Sequence, residues 1–256
     1  MLAVVPARLG SVRLPRKPLL MLAGRPLIEW VWRRVSAMQV ADAAVVATDA
    51  PEVMEACRVL GATAVLTSPD HLSGTDRVAE AAARPEYRSY DIIVNVQGDE
   101  PFVREEQVAG AVAQVRAGWD AGTIATSVRT LEAWQDPAVV KVARRSDGAA
   151  LYFSRAPIPF RREGVPTSEA LASTLYLRHV GVYAYGRSAL DRWVALPPSP
   201  LEEVERLEQL RPLAAGMTIG VGLVGAAETG VDTPADLERA ERRLLEDAAG
   251  FTSIIR

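Results

Sequence analysis

The chain has 256 residues, of which 49% are hydrophobic and 24% charged, with a net charge of −3. That length suits one large domain or two small ones, and the apolar share is enough to bury a sizeable core. The near-neutral balance argues against a nucleic-acid partner held by bulk electrostatics. No apolar run approaches the roughly 20 residues of a membrane span. The opening Met-Leu-Ala-Val-Val-Pro has no basic region of the secretory kind. A single cysteine, Cys57, fits a reducing compartment, the cytoplasm.

In chain order, the first hundred residues alternate strand and helix signals. Leu2–Val5 is a short apolar run. The loop after it carries Pro6, Gly10, Pro15 and Pro18. Pro26–Gln39 has apolar residues at helical spacing, Ala43–Ala47 reads as a strand, and Asp49 to Pro51 opens the next helix. Ala62–Leu66 reads as a strand, Thr75–Ala83 as a helix, Ile92–Val96 as a buried strand and Glu105–Val115 as a helix. Short apolar strands separated by helices predict an α/β fold, with a mainly parallel central sheet covered by helices on both faces.

The second half is less regular. Thr123–Val128, Val139–Ala143 and Ala149–Phe153 read as strands, with Asp147-Gly148 as a turn between the last two. Arg161–Ser173 reads as an exposed loop, and His179–Tyr185 as another strand. Ser199, Pro200 and Glu202 form the start signals of a helix, whose buried stripe is expected at Leu201, Val204, Leu207 and Leu210. Met217–Val224 reads as a strand, and Thr233-Pro234 opens the last helix. With no repeat and no clear linker, the expectation is one domain over 1–256, with an antiparallel excursion at about 123–190.

Several segments carry groups suited to chemistry. The loop after the first strand holds four cations, Arg8, Arg13, Arg16 and Lys17, with Gly10 and Ser11. In open α/β sheets ligands bind beyond the carboxyl ends of the strands, so these cations are placed to neutralise a polyphosphate; a solvated surface loop is the plain alternative. The spacing of neither a Walker A loop nor a dinucleotide fingerprint is present. Asn95-Val96-Gln97-Gly98-Asp99-Glu100-Pro101 puts Asp99 at the sheet's carboxyl edge, where a carboxylate suits Mg²⁺ or a helix cap. In Gly230-Val231-Asp232-Thr233-Pro234-Ala235-Asp236, Thr233 and Asp236 read as a cap, which leaves Asp232 for a second metal ligand. His71-Leu72-Ser73-Gly74-Thr75-Asp76-Arg77 offers an anion-friendly helix start, with loop filler for His71 and a solvated helix face for Arg77 as the plain alternatives. Arg155, Arg178, His179, Tyr183, Glu208 and Gln209 are scattered and individually uninformative. Cys57 reads as a small buried hydrophobe.

Taken together these segments are more specific than any one of them. Pro-Ala-Arg-x-x-Ser-x-Arg-Leu-Pro-x-Lys-Pro-Leu at 6–19, Ser-Gly-Thr-Asp-Arg at 73–77 and Val-Gln-Gly-Asp-Glu-Pro at 96–101 occur in order. They continue with Val-Lys-Val at 140–142, Leu-Tyr-Phe-Ser-Arg-Ala-Pro-Ile-Pro at 151–159 and Leu-Arg-His-Val-Gly-Val-Tyr at 177–183. Leu-Glu-Gln-Leu-Arg at 207–211 and Gly-Val-Asp-Thr-Pro-x-Asp-Leu-Glu at 230–238 complete the series. The chain closely resembles the 3-deoxy-manno-octulosonate (Kdo) cytidylyltransferases from residue 2 to about residue 243.

The resemblance implies a nucleotide-diphospho-sugar transferase-like fold and a cytidylyltransferase that joins CTP to Kdo, giving CMP-Kdo and pyrophosphate for lipopolysaccharide biosynthesis. It implies that Arg8 and Lys17 hold the triphosphate with help from Ser11 and Arg13. The Ala7 backbone, Arg77 and Gln97 would lie around the cytosine, and Asp99 and Asp232 would ligate Mg²⁺. Arg155, His179, Tyr183, Glu208 and Gln209 would line the sugar pocket, with Arg155 meeting the sugar carboxylate. It also implies a homodimer formed through the excursion; the charge balance and hydropathy already point to neither a nucleic-acid nor a membrane partner. Arg16 departs from the family, which often has glycine there, so a stiffer loop is expected. Cytidylyltransferases for amino-Kdo or N-acylneuraminate are the nearest rivals, and a non-catalytic sugar-nucleotide sensor is the rival from another class.

Overall fold

The structure, a computed structural model, describes residues 1–10 and 14–254, with side chains through 246. Ser11 and Arg13 therefore lie outside the described residues. In chain order the elements are β1 (Leu2–Ala7), a 3₁₀ turn at Lys17–Leu19, β2 (Met21–Leu22), β3 (Arg25–Pro26), α1 (Leu27–Ser36), β4 (Ala43–Thr48), α2 (Pro51–Leu60), β5 (Ala64–Leu66), α3 (Gly74–Ala82) and β6 (Ile92–Val96). There follow α4 (Glu105–Arg116), β7 (Ala121–Ser127), α5 (Leu131–Gln135), β8 (Lys141–Arg144), β9 (Ala150–Ser154), α6 (Ser168–Leu171), β10 (Leu177–Gly186), α7 (Arg187–Ala195), α8 (Pro200–Glu205), α9 (Leu210–Ala214), β11 (Ile219–Leu223) and α10 (Pro234–Ile254).

The chain forms two compact units. The first holds Leu2–Tyr87, Asn95–Arg104 and the segment from Glu228 onward; the second holds Arg88–Val94 and Glu105–Ala227. In the first unit β1 pairs with β4 and β4 with β5, both parallel. Four consecutive residues of β1, Leu2 to Val5, are buried to within 1%. A strand buried at alternate and intervening positions is covered on both faces, as a parallel sheet requires. Helices α1, α2 and α3 provide that cover. A separate apolar cluster in this unit joins Leu14, Leu22, Leu27, Phe102, Val231 and Leu244. Burying each of these large side chains contributes on the order of 1.5–3 kcal/mol.

In the second unit β11 runs parallel to β7, while β10 pairs antiparallel with both β7 and β8, and β8 antiparallel with β9. This is the antiparallel excursion, and Gly148, at φ +104, makes the β8–β9 turn. Glycine is required where α4 crosses β7, because a Cβ on Gly122 would lie 2.0 Å from the Ala111 carbonyl oxygen.

Two expectations for this half change. The region read as an exposed loop contains the short helix α6, capped by Thr167. The stripe expected along α8 also fails. Ser199 and Glu202 do form the reciprocal cap, but the helix ends at Glu205 with Arg206 in the left-handed region. Leu201 is 45% and Val204 83% exposed, whereas Leu207 and Leu210, beyond the helix end, are buried.

Candidate active site

The first unit contains a cleft of about 360 Å³. Its lining comes from four segments far apart in sequence: the end of β1 with the loop to Lys17, the start of α3, the loop after β6, and the loop before α10. Three local features draw them together. Gly98 lets the loop after β6 pass against β1, since a Cβ there would lie 2.6 Å from the Pro6 carbonyl oxygen. The Val231 amide donates to the Asp99 carbonyl at 2.9 Å, which seats Asp232 beside Asp99. Beneath them Leu14, Leu22, Phe102 and Val231 pack in one apolar cluster, so the neighbours of each site loop are buried together.

Lys17 stands between the two carboxylates. Its Nζ donates to Asp99 Oδ2 at 2.5 Å and to Asp232 Oδ1 at 2.8 Å. Burial pulls this ammonium down, but Asp99 and Asp232 outweigh it and hold it above the usual lysine value. As expected, Asp236 belongs to the cap of α10: its carboxylate accepts from the Thr233 amide at 2.8 Å, and its own amide donates to Thr233 Oγ1 at 3.2 Å. Two carboxylates so placed are hard oxygen donors, and a cation already sits between them.

The remaining residues of the cleft wall are held by the fold. Arg8 is exposed on the cleft lining, and Ala7 is buried beside it. Ser73 caps α3 in a reciprocal box with Asp76, so Gly74 opens the helix at the cleft. Arg77 lines the cleft while its guanidinium donates to Asp49 at 2.8 Å and to Thr67. Gln97 lines the same wall. The cleft also includes His71, which is not among the residues expected at the site and for which loop filler is the plain alternative. Its Nε2 hydrogen-bonds Glu80, and Glu80 also accepts from the Ser68 amide at 2.9 Å, which orders the loop before α3. The available signal was its place three residues before Gly74, in the segment already singled out.

The other five expected residues lie in the second unit. His179 and Tyr183, both on β10, have ring centroids 5.2 Å apart. Thr123 Oγ1 donates to the Val182 carbonyl at 2.8 Å and meets His179 Nε2 at 2.8 Å, so that nitrogen carries the proton. Burial, with Arg178 adding, pushes His179 down to about 3, so the ring is neutral. Burial also raises Tyr183 well above the usual tyrosine value, reinforced by Tyr185 and Glu208. Gln209 is buried next to Glu208. Arg155 is engaged by backbone: it donates to the carbonyls of Glu205 at 2.8 Å, Pro137 at 2.9 Å and Arg206 at 3.4 Å. Glu205, which the sequence did not suggest, answers by accepting from Ser154 Oγ at 2.6 Å and the Arg155 amide at 2.9 Å. Arg155 thus orders the segment that carries Glu208 and Gln209. Behind it, buried Lys141 donates to the carbonyls of Asp136, Val139 and Arg155.

A parallel α/β sheet with a cationic loop, a capped helix start and paired carboxylates around one cleft defines the class: a nucleotidyltransferase, which binds a nucleoside triphosphate and transfers its nucleotidyl part. Comparison with known proteins narrows it. The sequence profile described as Cytidylyltransferase matches residues 2–219. The 3-deoxy-manno-octulosonate cytidylyltransferase of Gemmatimonas aurantiaca is 56% identical over 240 residues, 93% of this chain and 92% of that one. That of Methylococcus capsulatus is 47% identical over 251 residues, 94% of this chain and 95% of that one. A solved structure of CMP:2-keto-3-deoxy-manno-octonic acid synthetase complexed with CTP superposes with a TM-score of 0.86 at 39% identity, covering 96% of this chain and 98% of that one. The chain belongs to the 3-deoxy-manno-octulosonate cytidylyltransferase family.

Proposed function

We propose that this enzyme activates Kdo with CTP, releasing pyrophosphate and forming CMP-Kdo for lipopolysaccharide biosynthesis in the cytoplasm. The carrying observation is the lysine held between Asp99 and Asp232 in a cleft that Arg8 and Arg77 also line. Family membership over most of the chain supports the choice of substrates.

The donor set also fits Mg²⁺. Among the described residues no group of three or more acidic, histidine or cysteine side chains converges on one point. Two carboxylates that leave the rest of the shell to water and substrate phosphate are what this ion takes. Asp99 and Asp232 would hold it, and when bound it supplies charge neutralisation on the phosphate oxygens. The reaction forms a bond from the sugar's anomeric oxygen to the α-phosphorus. The α–β bridging bond breaks, pyrophosphate departs, and the hydroxyl proton passes to solvent. Such a displacement asks for alignment and charge neutralisation rather than a covalent intermediate.

Arg8 and Lys17 take the triphosphate charge in this reading, with Ser11 and Arg13 assisting. The Ala7 backbone, Arg77 and Gln97 surround the cytosine. His179, Tyr183, Glu208 and Gln209 face the sugar hydroxyls, and Arg155 faces its carboxylate or holds the segment that does. The excursion at about 123–190 serves sugar binding and pairs two chains into a homodimer; nucleic acid and membrane are not partners. A non-catalytic sensor on this fold would have little use for both carboxylates. The test is pyrophosphate release from CTP and Mg²⁺ with Kdo, amino-Kdo and N-acylneuraminate in parallel. Release with Kdo is expected. Release only with one of the other two sugars would reassign the substrate.

A further inference from the structure

We propose that Asn95 makes the cleft select cytosine over uracil, by fixing which end of the Gln97 amide faces the base. This rests on the reading of the cleft as a CTP site. Asn95 is the penultimate residue of β6 and is wholly buried, at 0% exposure, although it is polar. Its Oδ1 accepts from Gln97 Nε2 at 3.3 Å. Gln97 Oε1 lies on the side of Gly74, where a Cβ would stand 3.9 Å from it, and both residues line the cleft. That oxygen accepts no hydrogen bond from the described residues. Asn95 Nδ2 is also buried without a partner among the described residues.

Leaving a buried amide donor unmet costs free energy, so an asparagine kept at such a place is being used through its other end. A glutamine amide offers either two donors or an acceptor, according to a half-turn of its terminal torsion. With Nε2 turned toward Asn95, Oε1 is the end that faces the side of Gly74, and so a base. Cytosine carries an exocyclic amine that donates, whereas uracil carries a carbonyl at the same position. The fixed acceptor therefore pairs with cytosine and opposes an acceptor on uracil, where both oxygens stay desolvated. Sites built around a hydrogen bond reject analogues unable to make it far more strongly than apolar pockets reject a missing methylene. Asn95 is thus a positioning residue, acting through Gln97.

The experiment measures dissociation constants and kcat/KM for CTP and UTP on the wild type, Asn95→Leu and Asn95→Asp. The wild type should prefer CTP. Asn95→Leu frees the Gln97 amide and should shrink the CTP/UTP ratio about tenfold or more. Asn95→Asp still accepts from Nε2 and should preserve the ratio. A folded Leu variant that weakens CTP and UTP equally would overturn the proposal, because a structural role alone predicts that. So would an Asp variant whose ratio collapses like that of Leu. Should the Leu variant fail to fold, Gln97→Met serves as its counterpart: a retained ratio there overturns the proposal, and a lost ratio with Asn95→Asp intact supports it. A wild type indifferent to CTP and UTP, or binding neither, would instead refute the CTP reading on which it rests.

Discussion

Lys17 shows how one side chain can act in two states. In the structure it bridges Asp99 and Asp232, so neutralising either carboxylate still leaves a balanced ion pair, whereas removing Lys17 takes away the cation between them. Asp99→Asn and Asp232→Asn should each lower turnover at least about 100-fold while leaving the melting temperature within a few degrees; near-wild-type rates in either would remove that residue from the site. His179 gives a pH prediction. Its folded value, about 3, lies below the ordinary 6.5, so the unfolded chain binds the proton first as pH falls. Its contribution to stability is therefore complete above about pH 6.5 and lost progressively toward pH 3. Between pH 6 and 4 a His179→Gln variant should lose stability less steeply than wild type, by about 1.4 kcal/mol per pH unit; parallel curves would show the ring is not buried neutral. Arg16 sits at φ 57, in the left-handed region that favours glycine. Its ion pair with Glu52, at 3.5 Å between exposed side chains, contributes little. Relief of the strained backbone should exceed the added chain entropy, so Arg16→Gly should raise stability by about 1 kcal/mol in urea unfolding. An unchanged or lower midpoint would contradict this.

Elements were legible where periodicity and capping agreed. β6 matches its reading residue for residue, because a β-branched apolar run between turn residues has one good conformation. The starts of α8 and α10 were legible from their capping boxes, since a cap is local chemistry. The end of α8 was not, because it is set from outside the helix. Arg155 draws the carbonyls of Glu205 and Arg206 toward itself, the chain turns left-handed at Arg206, and the apolar spacing after it no longer describes a helix. Denaturant unfolding tests this directly. Leu207→Ala should cost about 2–4 kcal/mol and Val204→Ala under about 0.5. Equal losses would restore the continuous stripe. The site was legible in the same uneven way. The carboxylates and cations stood out by charge at strand ends. The Asn95–Gln97 bond and the His71–Glu80 pair are contacts between side chains, one across a strand edge and one across a helix start, and no pattern of residue types marks them.

At the scale of the whole molecule, a net charge of −3 says little, because the charges are sorted. Cations gather at residues 8–17, where a triphosphate would lie, and carboxylates at Asp99 and Asp232, where a metal ion would. The near-neutral sum gives no sign of that local sorting. Among the described residues no helix is long and apolar enough to cross a membrane. The central claim concerns which bond breaks, and mass spectrometry of the products from CTP, Mg²⁺ and Kdo addresses it most directly. The account predicts one new species, CMP joined to the sugar, with an equal amount of pyrophosphate. Formation of CDP and phosphate, or CTP recovered intact beside free Kdo, would contradict it.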